Sequence, residues 1–176
     1  MIIQSKELEQ RAIEQVAELM CVAARTAPKG RGTDNLVTMV VKGRTKDQIA
    51  EEMKKIAQSS GAQFFERDAK CLEKTPMVIL LGQKVKPLGV SPCGYCGYAN
   101  CKENTEKSGQ CAISIGDLGI AIGSAVGVAA QHHIDNRIMF SVGRAALNLA
   151  IFEEDVEIAY GIPLSVSGKS PFFDRT

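Results

Sequence analysis

Apolar positions recur at helical spacing in some stretches of this chain and run together in others. Leu8, Ala12, Val16, Leu19 and Ala23 fall four, four, three and four residues apart, which predicts a helix over 5–25 with Ser5 as its N-cap. Residues 36–41 (LVTMVV) form a short β-rich run. Thr45 and Gln48 then have the spacing of a capping box, Ile49, Met53, Ile56 and Ala57 supply an apolar face, and Gly61 supplies a stop, so a helix is expected over 45–60. The continuous run 77–81 (MVILL) predicts a buried strand. Further on, a strand is expected over 137–141, a helix over 143–152 and a strand over 156–160. Helices and strands in this order predict an α/β or α+β domain without internal repeats.

Residues 112–130 (AISIGDLGIAIGSAVGVAA) carry a single charge, Asp117, and approach the length that crosses a bilayer. The four glycines and many alanines keep the stretch weakly hydrophobic, and no aromatic or basic anchors flank it, so a buried helix is expected. Gly119, Gly123 and Gly127 lie four apart on one face, where another backbone could approach closely.

With 21 Lys+Arg against 20 Asp+Glu, the formal net charge of +1 offers no electrostatic footprint for nucleic acid or an anionic membrane. The first residues, MIIQSKELEQ, turn charged too early for a secretory signal, so a reducing cytoplasm is the expected compartment.

Four of the chain's 6 cysteines are concentrated in SPCGYCGYANCKENTEKSGQC. Cys93, Cys96, Cys101 and Cys111 follow a C-x2-C-x4-C-x9-C spacing, with Gly94 and Gly97 after the first two to permit sharp bends. Pro87, Gly89 and Pro92 interrupt regular structure before them, so 85–111 reads as an inserted module between the two parts of the main domain, 1–84 and 112–176. Four thiolates beside bending glycines suit a 4Fe-4S cluster. Zinc also takes four thiolates but usually from two C-x2-C knuckles, and a cluster or zinc staple in a non-catalytic binding protein remains an open alternative. Disulfides do not suit a reducing compartment. Tyr95 and Tyr98 are expected to shield the site from water.

The same residues carry a resemblance. The cysteine run, with HHIDNRIMFSVGRAAL and YGIPLSVSGKSPFFDR after it, resembles the uncharacterised prokaryotic proteins that contain a ferredoxin domain. That resemblance implies iron-sulfur electron transfer. The frame around the module, from AARTAPKGRGTDNLVTMVV to the closing tail, is similar to the FMN-dependent nitroreductases. This second resemblance implies an α+β fold with a mixed sheet packed by helices, a flavin-dependent reductase activity, a homodimer, and FMN held by Arg25, Lys29, Arg31, Asn35, Gly161, Pro163, Lys169 and Arg175. The turn departs from the usual Arg-x-Ser-x-Arg of that family, reading Arg25-Thr-Ala-Pro-Lys-Gly-Arg31.

The remaining candidates carry less chemistry. His132 and His133 end the glycine-rich helix, where the helix dipole favours histidine, and Asp135-Asn136 is expected to form a turn. Cys21 reads as a small core residue, and Cys71, within the polar segment ERDAKCLEKTP, reads as a surface or half-buried thiol. No serine or cysteine nucleophile arrangement is evident, and the redox partner is not legible.

Overall fold

The computed structural model describes residues 2–153 and 155–173. Six helices and four strands follow in the order α1 (Ser5–Thr26), β1 (Leu36–Lys42), α2 (Gly43–Ser60), α3 (Gln63–Glu73), β2 (Met77–Gln83), α4 (Cys101–Glu106), α5 (Ala112–Gln131), β3 (Asp135–Asn136), α6 (Phe140–Asn148) and β4 (Ile158–Ser165). One four-stranded sheet, ordered β1-β2-β4-β3, lies between two helical layers.

Strand β2 shows why the fold has three layers. Its side chains alternate between faces, so Met77, Ile79 and Leu81 pack towards α1 and α5, whereas Val78 and Leu80 pack towards α2, α3 and α6. Both faces are covered, which explains the uninterrupted apolar run.

Every strand pairing is antiparallel, so the described sheet is not mixed. The cause is the hairpin of α2 and α3, which carries the chain out and back and returns it to the end of the sheet it left. Lys42, the last residue of β1, is therefore opposite Met77, the first of β2. Gly61 ends α2 with a left-handed φ of 72°, as its position predicts.

Several boundaries differ from the sequence reading. Helix α3 occupies the segment read as polar, and it buries Phe65, Ala69, Cys71 and Leu72. Helix α2 starts before Thr45, with Lys42 as N-cap and no side-chain capping bond, so the capping box does not form. Gln4 rather than Ser5 caps α1. The buried stripe of α1 is Ile13, Val16, Ala17, Met20 and Ala24, rotated from the predicted face, and Leu8 and Leu19 are exposed. Asp135 and Asn136 pair with β4 instead of turning, while Phe140 already begins α6.

Helix α5 is buried on one face only. Leu118, Ala121, Ile122, Ala125 and Ala129 join the core, but Gly119, Gly123 and Gly127 face outward with no atom near where a β-carbon would stand. Among the described residues it is the one helix long and apolar enough to cross a membrane, and 39% of its most apolar window is buried.

Candidate metal centre

Between β2 and α4 the chain contains neither helix nor strand from residue 84 to residue 100. Gly94 and Gly97 adopt left-handed φ values of 78° and 83°, and the Gly97 amide donates to the Gly94 carbonyl at 3.0 Å. These bends swing Cys93 and Cys96 towards the same side. Cys101 opens α4, whose N-cap Asn100 accepts from the Glu103 amide at 3.0 Å while Glu103 accepts from the Ala99 amide at 2.8 Å. Cys111 is the N-cap of α5. Its sulfur is thereby placed at the first turn of a 20-residue helix.

All four cysteines line one cavity of about 530 Å³. Its base is apolar, formed by Leu88, Ile113 and the buried Cys111, and its wall includes Tyr98 and Asn104. Tyr98 packs against Gly109, where any β-carbon would overlap the ring. The side-chain amide of the buried Asn104 donates to the Gln110 carbonyl at 3.2 Å, fixing the loop before Cys111. Tyr95 is 81% exposed and shields nothing, in contrast to Tyr98.

The donor set has the right chemistry for a metal group, since four thiols line one cavity. A tetrahedral zinc takes four thiolates on one ion, whereas a cubane bonds each thiolate to a different iron. The residues present fit a group held by four thiolates.

Cys21 and Cys71 lie elsewhere. Burial pushes both thiols up, towards the inert form, and Cys71 donates to the Pro171 carbonyl at 3.3 Å.

The residues expected to hold FMN are not gathered into one site. Arg25 donates to Asp34 at 2.6 Å and to the Leu36 carbonyl at 2.7 Å. Lys29 donates to the carbonyls of Arg25 and Ala27 at 2.6 and 2.9 Å, closing the end of α1. Arg31, in a one-turn helix at Gly30–Gly32, donates to the carbonyls of Leu88 and Gly89, both at 3.1 Å. The Asn35 carbonyl accepts from the Lys84 amide at 3.0 Å. Gly161 is buried where a β-carbon would overlap Val142. Pro163 is buried on β4 between the Gly161–Met139 bridge and the short β3, where the ladder is interrupted and the missing N–H is tolerated. Lys169 lines a separate hollow with Lys6 and Lys74, and Lys6 is roughly 28 Å along α1 from Arg25 at 1.5 Å per residue. Arg175 lies outside the described residues.

Asp117 was missed by sequence reasoning as a functional residue. It is 5% exposed, and both of its carboxylate oxygens accept from the Gly30 amide, at 3.1 and 3.0 Å. A lone charge on an apolar helix was the available signal, since a buried carboxylate needs partners.

A protein from Archaeoglobus fulgidus, described as an uncharacterized protein, is 38% identical to this chain over 184 residues, covering 99% of this chain and 98% of its own length. Residues 107–175 match the model of the family described as "Uncharacterized protein containing a ferredoxin domain (DUF2148)". The chain belongs to this ferredoxin-domain family. The matched span includes Cys111 and ends well after the module, so the other three cysteines lie before it.

The fold is that of the nitroreductases. A nitroreductase with bound FMN from Desulfitobacterium hafniense superposes with a TM-score of 0.59 at 17% identity, covering 96% of this chain and 81% of its own. An oxidoreductase containing FMN gives a TM-score of 0.62 at 10% identity, over 89% of this chain and 68% of its own. The FMN-dependent nitroreductase NfnB from Mycobacterium smegmatis, in complex with NADPH, gives 0.57 at 15% identity, over 88% and 78%. At these identities the likeness concerns the fold alone.

Proposed function

We propose that this chain is an iron-sulfur redox protein that holds one 4Fe-4S cluster on Cys93, Cys96, Cys101 and Cys111 and passes single electrons between a donor and an acceptor. The observation that carries the reading is the cavity lined by all four cysteines, in a chain of the ferredoxin-domain family. When bound, the cluster supplies one-electron chemistry. The chain's own contribution is local. Cys111 is placed at the start of α5, the Gly94 and Gly97 bends set the first two thiols, and Tyr98 with the Leu88 and Ile113 base limits the access of water.

The test is anaerobic purification followed by assay for iron, sulfide, zinc and flavin, with an electron paramagnetic resonance spectrum of the reduced protein. Four irons and four sulfides per chain support the reading. Stoichiometric zinc without sulfide would establish the structural staple instead.

A flavin-dependent reductase is the second reading, favoured by the fold shared with FMN-bound nitroreductases. Within one chain Arg25, Lys29 and Arg31 already have acceptors and Lys169 is remote, so an FMN phosphate would sit where a second copy brings the tail of one chain to the turn of the other. The open glycine face of α5, flanked by exposed Leu19 and Val22 of α1 and by Ile120, suits such a homodimer in a reducing cytoplasm. Titration with FMN separates the readings. Flavin fluorescence quenching that is weakened in Lys169→Ala supports the reductase, and no quenching leaves an electron carrier.

A further inference from the structure

We propose that the Gly30–Gly32 turn is a clasp that holds the two ends of the cysteine module in register, with Arg31 as a positioning residue for the cluster. The inference rests on the cluster reading and assigns to this turn a role other than phosphate binding.

The module is joined to the rest of the chain at two places. It enters through Leu88 and Gly89, shortly before Cys93, and leaves through Cys111 into the first turns of α5. The turn touches both. On the entry side, the Arg31 guanidinium donates to the Leu88 and Gly89 carbonyls, both at 3.1 Å. On the exit side, the Gly30 amide donates to the Asp117 carboxylate, six residues beyond Cys111 on the same helix.

Shape supports the same conclusion. A β-carbon on Gly30 would lie 2.8 Å from Leu88 and 2.9 Å from Ile113, the two apolar residues beneath the cysteines, so the turn is pressed against the outside of the cavity base. Arg31 itself has a left-handed φ of 56°, uncommon for a residue with a side chain. Gly89, with φ 68°, leaves the space that the guanidinium fills. The segment between β2 and α4 has no helix or strand to stiffen it, so the Arg31 contacts add to the ion pairs of Lys84 and Lys86 and the burial of Val85 and Leu88 in fixing its entry.

Arg31 also brings a positive charge to the carbonyls bordering a site that is anionic when loaded. Its removal should therefore alter the cluster's electronic environment as well as its retention.

The test compares wild type, Arg31→Ala, Arg31→Lys and Asp117→Leu, all full-length and reconstituted with iron and sulfide without oxygen. Arg31→Ala should lose iron to a chelator about tenfold faster, the scale of one charge-assisted hydrogen bond. Its reduced-state resonance g values should shift and its midpoint potential fall. Arg31→Lys, which keeps one cationic donor, should recover part of both, and it carries the test if Arg31→Ala does not fold. Asp117→Leu should accelerate iron loss from the exit side. If wild type holds a cluster and the arginine variants match it in chelation rate, g values and potential, the clasp is overturned while the cluster stands. If wild type takes up no iron and sulfide, both fall.

Discussion

Arg25 and Asp34 form an ion pair at 2.6 Å across the turn that joins α1 to β1, and the Leu36 amide completes the carboxylate's shell. Burial pushes the Asp34 carboxyl up, but the hydrogen bonds from Arg25 and Leu36, with the charges of Arg25 and Lys29, outweigh it and hold the group below its usual range. A depressed carboxylate stabilises the fold above its unfolded value, about 3.9, and that contribution disappears as pH falls through the lower folded value. Melting temperature followed through the acid range should show a step that Asp34→Asn removes. An unchanged acid profile in that variant would mean the pair contributes nothing.

Cysteine substitutions should divide into two groups. Ser at position 93, 96, 101 or 111 should each remove most of the iron, whereas Cys21→Ser and Cys71→Ser, distant from the cavity, should keep it. Iron analysis of the six variants decides the ligand set, and equal loss from Cys71→Ser would mean the set is wrong.

Gly143 and Gly161 mark the contact of α6 with β4, where a β-carbon would overlap the Ala159 carbonyl or Val142. Alanine at either position should destabilise by about 1–3 kcal/mol through overpacking. Gly168→Ala, with open space around it, is the control and should stay within about 0.5 kcal/mol in urea unfolding.

Gly123→Leu separates the fold from association. Within one chain nothing stands near the position, so the variant should keep the helical circular dichroism of wild type, and a leucine there should overpack only across a dimer. Light scattering should give two chains for wild type and one for the variant. Wild type at the mass of one chain would exclude the homodimer.

How legible each part was depended on whether its partners are local. The bends at Gly94 and Gly97 and the stop at Gly61 follow from neighbouring residues, and their left-handed φ values are as expected. The buried strand β2 was equally plain, because both faces are covered. Helix α3 was missed although Phe65, Ala69 and Leu72 have helical spacing, because the charged residues between them made the stretch read only as a polar segment. The roles of Arg25, Lys29 and Arg31 could not be read at all, since most of their acceptors are main-chain carbonyls that look alike in any sequence. Arg31 reaches carbonyls 57 and 58 residues away.

The place of β4 bears on the order of assembly. Met77 of β2 pairs with Leu164 of β4, so the centre of the sheet joins segments on either side of the whole cysteine module. During synthesis the four cysteines therefore emerge before the strand that completes their support, and distant pairings of this kind form slowly. On the cluster reading proposed above, insertion is then expected to follow the docking of β4.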